Sequence, residues 1–174
     1  SPAYVQKVKN NLPILPDDRH RYLTSILQLS QKQSNVILGE DGAFEYFTNI
    51  ILSPKNTSTN NTDGKKNIPS LQSWYKQFYQ TSTTQPTEFE SDITINRSPT
   101  VAYNWLTTEL FGRIKRHRES NTSGSTLRHA PLLETNDISP KHLATLIDMI
   151  DEQIVSGKQA KKLLDFLFQH IKNQ

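Results

Sequence analysis

The sequence contains no cysteine, which excludes disulfide bonds, zinc–thiolate sites and thiol catalysis. It also has no apolar run near the roughly 20 residues that a membrane-spanning helix needs, so we expect a soluble chain of an interior compartment. Only 34% of the 174 residues are apolar, which predicts solvated loops beside the packed parts. The net charge of +3 permits contact with nucleic acid without establishing it.

Catalytic and metal-binding motifs are missing as well. None of the five histidines has the i, i+4 spacing or the neighbouring glutamate of an H-E-x-x-H site. Residues 156–158 (SGK) lack the first glycine and the final hydroxyl residue of a phosphate-binding P-loop. We interpret Asp148, Asp151 and Glu152 as the solvated face of a helix, because no apolar residues bracket them as acid–base catalysis requires. We therefore predict no catalytic residue, no metal site and no cofactor in this chain.

Apolar residues recur at helical spacing along most of the sequence. This predicts an all-α fold, a bundle of about six to seven helices with two long polar loops that ends in a helical hairpin. The predicted helices begin near Ser1, Asp17, Gly42, Leu71, Ser98, Ser139 and Ser156. The helix from Ser98-Pro99 should run to about Arg118. Ile93 and Ile95 predict at most a short extended stretch in otherwise irregular sequence.

Two polar stretches suggest the domain boundaries. Residues 53–67 have no large apolar side chain and are predicted to be a surface insertion in a helical domain over 1–118. Residues 119–137 are predicted to be a polar linker, followed by the helical hairpin over 138–174. The first residue is Ser1 and a helical pattern begins at once, so we expect a processed chain or a fragment.

The hairpin has the clearest pattern. Ser139-Pro140 begins its first helix, and Ser156 with Gln159 has the S-x-x-Q form of a capping box. The first helix is acidic and the second basic, which favours their pairing. The second helix is predicted to bury an apolar stripe of Ala160, Leu163, Leu164, Leu167, Phe168 and Ile171.

Basic residues cluster at the end of the helix from Ser98 and at the start of the last helix. One interpretation is structural, because cations complement the negative C-terminus of a helix. The other is a patch that contacts RNA phosphates without reading sequence. The second interpretation predicts tRNA contacts from Arg113, Lys115, Arg116, Arg118, Lys158, Lys161 and Lys162, with Arg128 as a possible extension.

The aromatic group Trp74, Tyr75, Phe78 and Tyr79 allows two interpretations, base stacking or core packing. Three of the four share one helical face, so core packing is favoured.

Residues 138–166 (ISPKHLATLIDMIDEQIVSGKQAKKLLDF) resemble the C-terminal region that the B-type subunit of aspartyl/glutamyl-tRNA amidotransferases shares with the YqeY-like proteins. The family pattern there runs I-S-P-x-x-L-A-x-L-I-x-L-I-x-x-G-x-I-S-G-K-x-A-K. Gln153 stands where that pattern has glycine, and Val155 where it has isoleucine. Residues 11–22 (NLPILPDDRHRY), 45–47 (EYF) and 102–110 (AYNWLTTEL) are similar to further segments of the B-type subunit.

This resemblance implies a function in transamidation. The parent complex would be a ligase that uses ATP, Mg²⁺ and glutamine to convert Glu-tRNA(Gln) to Gln-tRNA(Gln), with its catalytic residues in a domain that is not in this sequence. The chain would be a non-catalytic part that binds tRNA(Gln) and contacts the A-type subunit and a small companion of the C or F type. Polar insertions suggest a fungal mitochondrial source, and the alternative location is cytoplasmic. The alternative function is a free-standing YqeY-like interaction module without RNA binding.

Overall fold

Helices make up most of the part of the chain that the computed structural model describes, which is residues 14–55, 66–79, 92–121 and 130–171. The elements are α1 (Pro16–Ser25), α2 (Gln31–Leu38), α3 (Ala43–Leu52), β1 (Lys66–Pro69), α4 (Leu71–Tyr79), β2 (Asp92–Ile95), α5 (Pro99–Asn104), α6 (Phe111–Asn121), α7 (Pro140–Asp151) and α8 (Gly157–His170). The predicted all-α bundle with a terminal hairpin is confirmed. The helix predicted from Ser1 lies outside the described residues.

Helices α5 and α6 form one continuous rod. They are joined by a π-helical segment, Trp105–Leu110, and both Asn104 (φ −62°, ψ −42°) and Phe111 (φ −60°, ψ −38°) keep helical dihedral angles. Ala102, Leu106 and Leu110 on one side of this rod are completely enclosed, whereas Val101 is 37% exposed. The predicted start at Ser98-Pro99 is confirmed, although the Ser98 side chain makes no capping hydrogen bond.

Three of the described helices begin with a capping box, in which the side chains of the N-cap and N3 residues each accept a backbone N–H. In the predicted box, the Ser156 amide donates to Gln159 Oε1 at 2.8 Å and the Gln159 amide to Ser156 Oγ at 3.3 Å. Ser139 with His142 caps α7 in the same way. Ser30 with Gln33 caps α2, a helix that the sequence analysis did not predict.

The two short strands form an antiparallel ladder in which Lys66 pairs with Ile95 and Pro69 with Asp92. Lys66 and Asn67, predicted to belong to the insertion, therefore lie in β1, whereas residues 56–65 lie outside the described part. The Asn96 amide donates to the Ile51 carbonyl at 2.9 Å. This bond attaches the ladder to the end of α3.

The buried apolar residues form one cluster to which both the N-terminal helices and the hairpin contribute. At two places a buried tyrosine hydroxyl donates a hydrogen bond to a backbone carbonyl that is distant in the sequence. Tyr22 Oη donates to the Pro69 carbonyl at 2.8 Å, and burial raises the pKa of Tyr22 to about 12. Tyr46 Oη donates to the Ile138 carbonyl at 2.5 Å, and burial raises the pKa of Tyr46 even though a hydrogen bond with Asn136 opposes the shift. The hairpin thus packs on the same core as the preceding helices.

Trp74 is buried and meets the Tyr22 ring edge-on, with the ring centroids 5.8 Å apart. Core packing of Trp74 is therefore confirmed. The side chains of Phe78 and Tyr79 lie outside the described part of the structure.

The stretch predicted as a polar linker, 119–137, departs from that prediction at both sides. Residues 119–121 continue α6, and Leu132–Thr135 form a turn of 3₁₀ helix. Leu132 is buried in the core, and its amide donates to the Glu40 carboxylate. The segment before α7 is thereby packed against the loop between α2 and α3, while residues 122–129 lie outside the described part.

Arg97 and Asp148 form a buried ion pair, with side chains only 1% and 9% exposed. The guanidinium donates to both carboxylate oxygens, at 2.8 Å from Nε and 2.6 Å from Nη2. It also donates to the carbonyls of Ile50 at 2.9 Å, Ser53 at 2.6 Å and Ala144 at 3.2 Å. The prediction that Asp148 lies on a solvated helix face is therefore wrong. Its carboxylate is buried against Arg97, which is 51 residues earlier in the chain and so could not be recognised from local spacing.

The charged residues of α7 and α8 do not pair with each other as predicted. Asp148 pairs with Arg97, Asp151 with Lys55 at 3.7 Å, and Lys161 with Glu109 at 2.8 Å. Apolar burial, including Leu146, Ala160 and Leu164, holds the hairpin instead.

Helix α7 ends in a Schellman motif with Gln153 in the left-handed conformation, at φ 58°. The Ile154 amide donates to the Met149 carbonyl at 2.9 Å, and the Gln153 amide to Ile150 at 3.0 Å. Gln153 is the residue that replaces glycine in the resembled pattern. A β-carbon is disfavoured in this conformation by about 1–2 kcal/mol, so the turn is formed under strain.

We predict that Asp148→Ala lowers the free energy of unfolding by roughly 3–5 kcal/mol, because it leaves the buried Arg97 charge without its partner. The matched control is Asp151→Ala on the same helix, whose half-exposed ion pair contributes at most about 1 kcal/mol. Urea denaturation followed by circular dichroism measures both. Equal small losses would show that the buried pair does not hold the fold.

We predict that Gln153→Gly raises the free energy of unfolding by roughly 0.5–1 kcal/mol, because glycine adopts the left-handed conformation without strain. Gln153→Ala is the control, since it removes the side chain but keeps the β-carbon, and it should leave stability near that of the original chain. A gain in Gln153→Ala as large as that in Gln153→Gly would assign the effect to the side chain rather than to the backbone.

Candidate nucleic-acid interface

Four charged side chains link α8 to the continuous rod formed by α5, the π-helical segment and α6. Arg113 Nε lies 2.6 Å from Asp165 Oδ1, and Arg113 Nη1 lies 2.8 Å from Glu109 Oε2. Lys161 Nζ lies 2.8 Å from the other oxygen of Glu109.

Two residues of this network lie in or just after the π-helical segment. Glu109 belongs to it and Arg113 follows it by one turn. A π turn holds one more residue than an α turn, so the side chains beyond it are rotated by about 100° relative to an unbroken α-helix. Arg113 therefore leaves the rod in a direction rotated from that of an unbroken α-helix.

The network shifts the pKa values of Glu109 and Arg113. Burial disfavours the charged form of Glu109, but hydrogen bonds from Lys161 and Arg113 and their positive charges outweigh it, so the pKa of Glu109 is lowered. Burial likewise opposes the charge of Arg113, and the carboxylates of Asp165 and Glu109 outweigh this and raise the pKa of Arg113. The two cations and two anions stabilise one another.

Three of the predicted tRNA-binding residues therefore make contacts within the fold. Arg113 and Lys161 are compensated by carboxylates, and the Arg113 side chain is only 10% exposed. Arg118 donates to the carbonyls of Ala130 and Pro131, each at 2.5 Å, which ties the end of α6 to the segment before α7. These three residues thus have structural contacts, although their partners are carboxylates and the carbonyls of another segment rather than the C-terminus of their own helix.

The other four predicted residues, Lys115, Arg116, Lys158 and Lys162, are exposed. Arg116 Nε also donates to the Gly112 carbonyl of its own helix, at 3.2 Å. Lys158 and Lys162 are four residues apart and therefore lie one above the other on α8. Lys115 is two residues from Arg113 and so points away from α8. Arg128, the possible extension, lies outside the described residues.

One side of α8 is exposed along its length, and we call it the outer face of α8. Leu163 is 38% and Phe166 54% exposed, so the prediction that Leu163 joins the buried stripe is wrong. The outer face consists of Lys158, Gln159, Lys162, Leu163, Phe166 and His170. The exposed carboxylate of Asp165, which bonds Arg113, lies at its edge, one turn from Lys162. Phe166 was not among the predicted site residues, although its place off the buried stripe is visible in the sequence.

In the described ranges no group of three or more His, Asp or Glu side chains is arranged to hold a metal ion. No helix in the same ranges is long and apolar enough to cross a membrane. The cationic outer surface of α6 and α8 is thus the feature that most resembles a binding site.

The fold and the surface together define this part of the chain as a helical module with an exposed cationic helix face. Residues 87–174 match the GatB domain family, which is just over half of the chain, so the chain belongs to that family.

The chain is similar to the B-type subunit of the aspartyl/glutamyl-tRNA(Asn/Gln) amidotransferase of Rhodopseudomonas palustris (strain BisB5), at 23% identity over 97% of this chain and 24% of the relative. The corresponding protein of Helicobacter hepaticus is 40% identical over 47% of this chain and 14% of its own length. The mitochondrial B-type subunit of the glutamyl-tRNA(Gln) amidotransferase of Naegleria gruberi is 25% identical over 95% of this chain and 23% of its own length. The chain therefore spans about a quarter or less of the length of these curated relatives.

We predict that Glu109→Gln lowers the free energy of unfolding at pH 7 by about 1 kcal/mol, because Arg113 and Lys161 lose a charged partner. The folded pKa of Glu109 lies below its ordinary value of 4.5. Its contribution is therefore complete above that value and is lost as the pH falls through the folded pKa. Urea denaturation from pH 7 to pH 3 should show the two proteins converging at the acid end.

Glu119→Gln, an exposed change on the same helix, is the control and should alter stability little at any pH. A difference between Glu109→Gln and the original chain that stays constant down to pH 3 would contradict the ionic origin of the effect.

Proposed function

We propose that this chain is the non-catalytic helical part of the B-type subunit of a glutamyl-tRNA(Gln) amidotransferase, and that it binds tRNA(Gln) and holds partner subunits near an active site carried elsewhere. Membership of the GatB domain family supports the proposal, as do relatives along nearly the whole chain that are named as this subunit of amidotransferases. The C-terminal position implied by the resemblance of residues 138–166 is part of the same proposal.

The outer face of α8 carries the tRNA-binding part of this proposal. Lys158 and Lys162 are exposed there and form no ion pair with the described carboxylates, whereas Arg113 and Lys161 are compensated by Glu109 and Asp165. Exposed cations that form no ion pair attract phosphates, and their contacts position an RNA backbone without reading its sequence. Lys115 and Arg116 extend the cationic surface along α6.

The chemistry belongs to the rest of the complex. ATP and Mg²⁺ are implied for the parent ligase, whose transamidation of Glu-tRNA(Gln) would take place in another domain. The A-type subunit and a small companion of the C or F type are the proposed protein partners. The mitochondrial name of the Naegleria gruberi relative supports a location in the mitochondrial matrix, while the bacterial relatives keep a cytoplasmic location as the alternative. A fungal source stays a prediction.

A protein-interaction module without RNA binding is the second candidate. The exposed apolar side chains Ile154, Leu163 and Phe166 near the end of the hairpin favour it. Such a module would capture the A-type subunit with little dependence on salt, because no counterions are released from phosphates.

We predict that Lys158→Glu/Lys162→Glu weakens binding of a tRNA(Gln) transcript and reduces the slope of log K against log salt by about 1–2, since each lost phosphate contact removes close to one unit. Lys32→Glu/Lys141→Glu, a double reversal of two exposed lysines elsewhere, is the matched control. Filter binding at several salt concentrations measures all three proteins. Equal effects of the two double variants would show that only net charge matters and would overturn the assignment to α8.

A further inference from the structure

Two aromatic rings are stacked on the outer face of α8. The Phe166 and His170 ring centroids are 3.7 Å apart and the ring planes are 20° from parallel. Phe166 is 54% exposed although it is a large apolar residue. One side of its ring faces His170, and the exposed remainder offers an aromatic surface to a ligand.

The backbone fixes this pair. His170 Nδ1 donates to the Phe166 carbonyl at 2.9 Å, which sets the imidazole one turn above the phenyl ring. A ring held by both a hydrogen bond and a stacking contact loses little further side-chain entropy when a ligand adds to the stack. The pair is therefore organised before binding.

The neighbours of Phe166 decide which kind of ligand fits. On the exposed side of α8, Lys162 lies one turn before it and Lys158 two turns before it, and Gln159 and Leu163 flank it. Gln169 and Asp165 also border it, the latter bonded to Arg113. Leu163 is the only other apolar member of the outer face, so the apolar area is small for a protein docking surface. An exposed ring beside two lysines has the composition of single-strand nucleic-acid sites, in which bases stack on aromatic rings and cations hold the backbone.

We propose that Phe166 and His170 form a stacking platform for an unpaired base of the bound RNA, with Lys158 and Lys162 holding the neighbouring phosphates. This inference rests on the proposed tRNA-binding function. It adds the requirement that the RNA present a base outside a helix, because a paired base has no free face for the ring.

The test compares three substitutions of Phe166 with two RNAs. Phe166→Leu keeps an apolar side chain without a ring, Phe166→Tyr keeps the ring, and Phe166→Ala removes both. The RNAs are a tRNA(Gln) transcript and a blunt-ended RNA duplex. Thermal melting followed by circular dichroism checks that the exposed substitutions leave the fold intact.

We expect Phe166→Leu and Phe166→Ala to weaken tRNA binding by about fivefold to a hundredfold, the range for one base stacked on an aromatic ring. The salt slope should not change, because no phosphate contact is lost. Phe166→Tyr should bind like the original chain, and duplex affinity should be the same for all variants.

The inference is overturned if Phe166→Leu binds tRNA as well as the original chain does, or if duplex affinity falls equally. It is also overturned if the substitutions leave tRNA binding intact and reduce only the capture of the A-type subunit, which would assign Phe166 to a protein contact. If tRNA binding depends on salt and responds to Lys158→Glu/Lys162→Glu but not to Phe166→Leu, the stacking platform is refuted and the proposed function is kept. No tRNA binding by the original chain would refute the proposed function and the platform together.

Discussion

The buried guanidinium of Arg97 is the constraint on which the rest of this fold depends. It bonds both oxygens of Asp148 on α7 and the carbonyls of Ile50 and Ser53 at the end of α3. An unpaired charge in the core would cost several kcal/mol, so these elements are compatible with burial in only one relative arrangement. Apolar packing supplies most of the stabilisation, and the ion pair selects the arrangement in which α7 lies against α3.

The position of α7 fixes the surface that we assign to RNA. Helix α8 follows α7 through the Schellman turn at Gln153 and the capping box at Ser156, and the charges shared with Glu109 and Arg113 hold it beside α6. Those contacts consume the cations at the helix–helix boundary. The cations that point outward, beside the exposed ring of Phe166, are the ones that we propose to contact phosphates.

The sequence predicted helix starts that depend on interactions within one turn. The Ser156–Gln159 box and the start at Ser98-Pro99 depend on residues within one turn, and both helix starts are confirmed. The same S-x-x-Q signal at Ser30 was present and was missed, because α2 carries few apolar residues. Asp148 could not be placed from sequence, since its surroundings depend on Arg97, 51 residues away. The carboxylates that compensate Arg113 and Lys161 are likewise distant in the sequence. The predicted basic group therefore included residues with contacts inside the fold as well as exposed cations.

Lysine acetylation footprinting with and without a tRNA(Gln) transcript, read by mass spectrometry, tests most directly whether the outer face of α8 is the RNA-binding surface. Bound RNA should protect Lys158 and Lys162, because a phosphate contact shields the amine, while Lys32 and Lys141 on other exposed surfaces should react at unchanged rates. Unchanged reactivity of Lys158 and Lys162 in the complex, or protection spread evenly over all four lysines, would contradict the assignment.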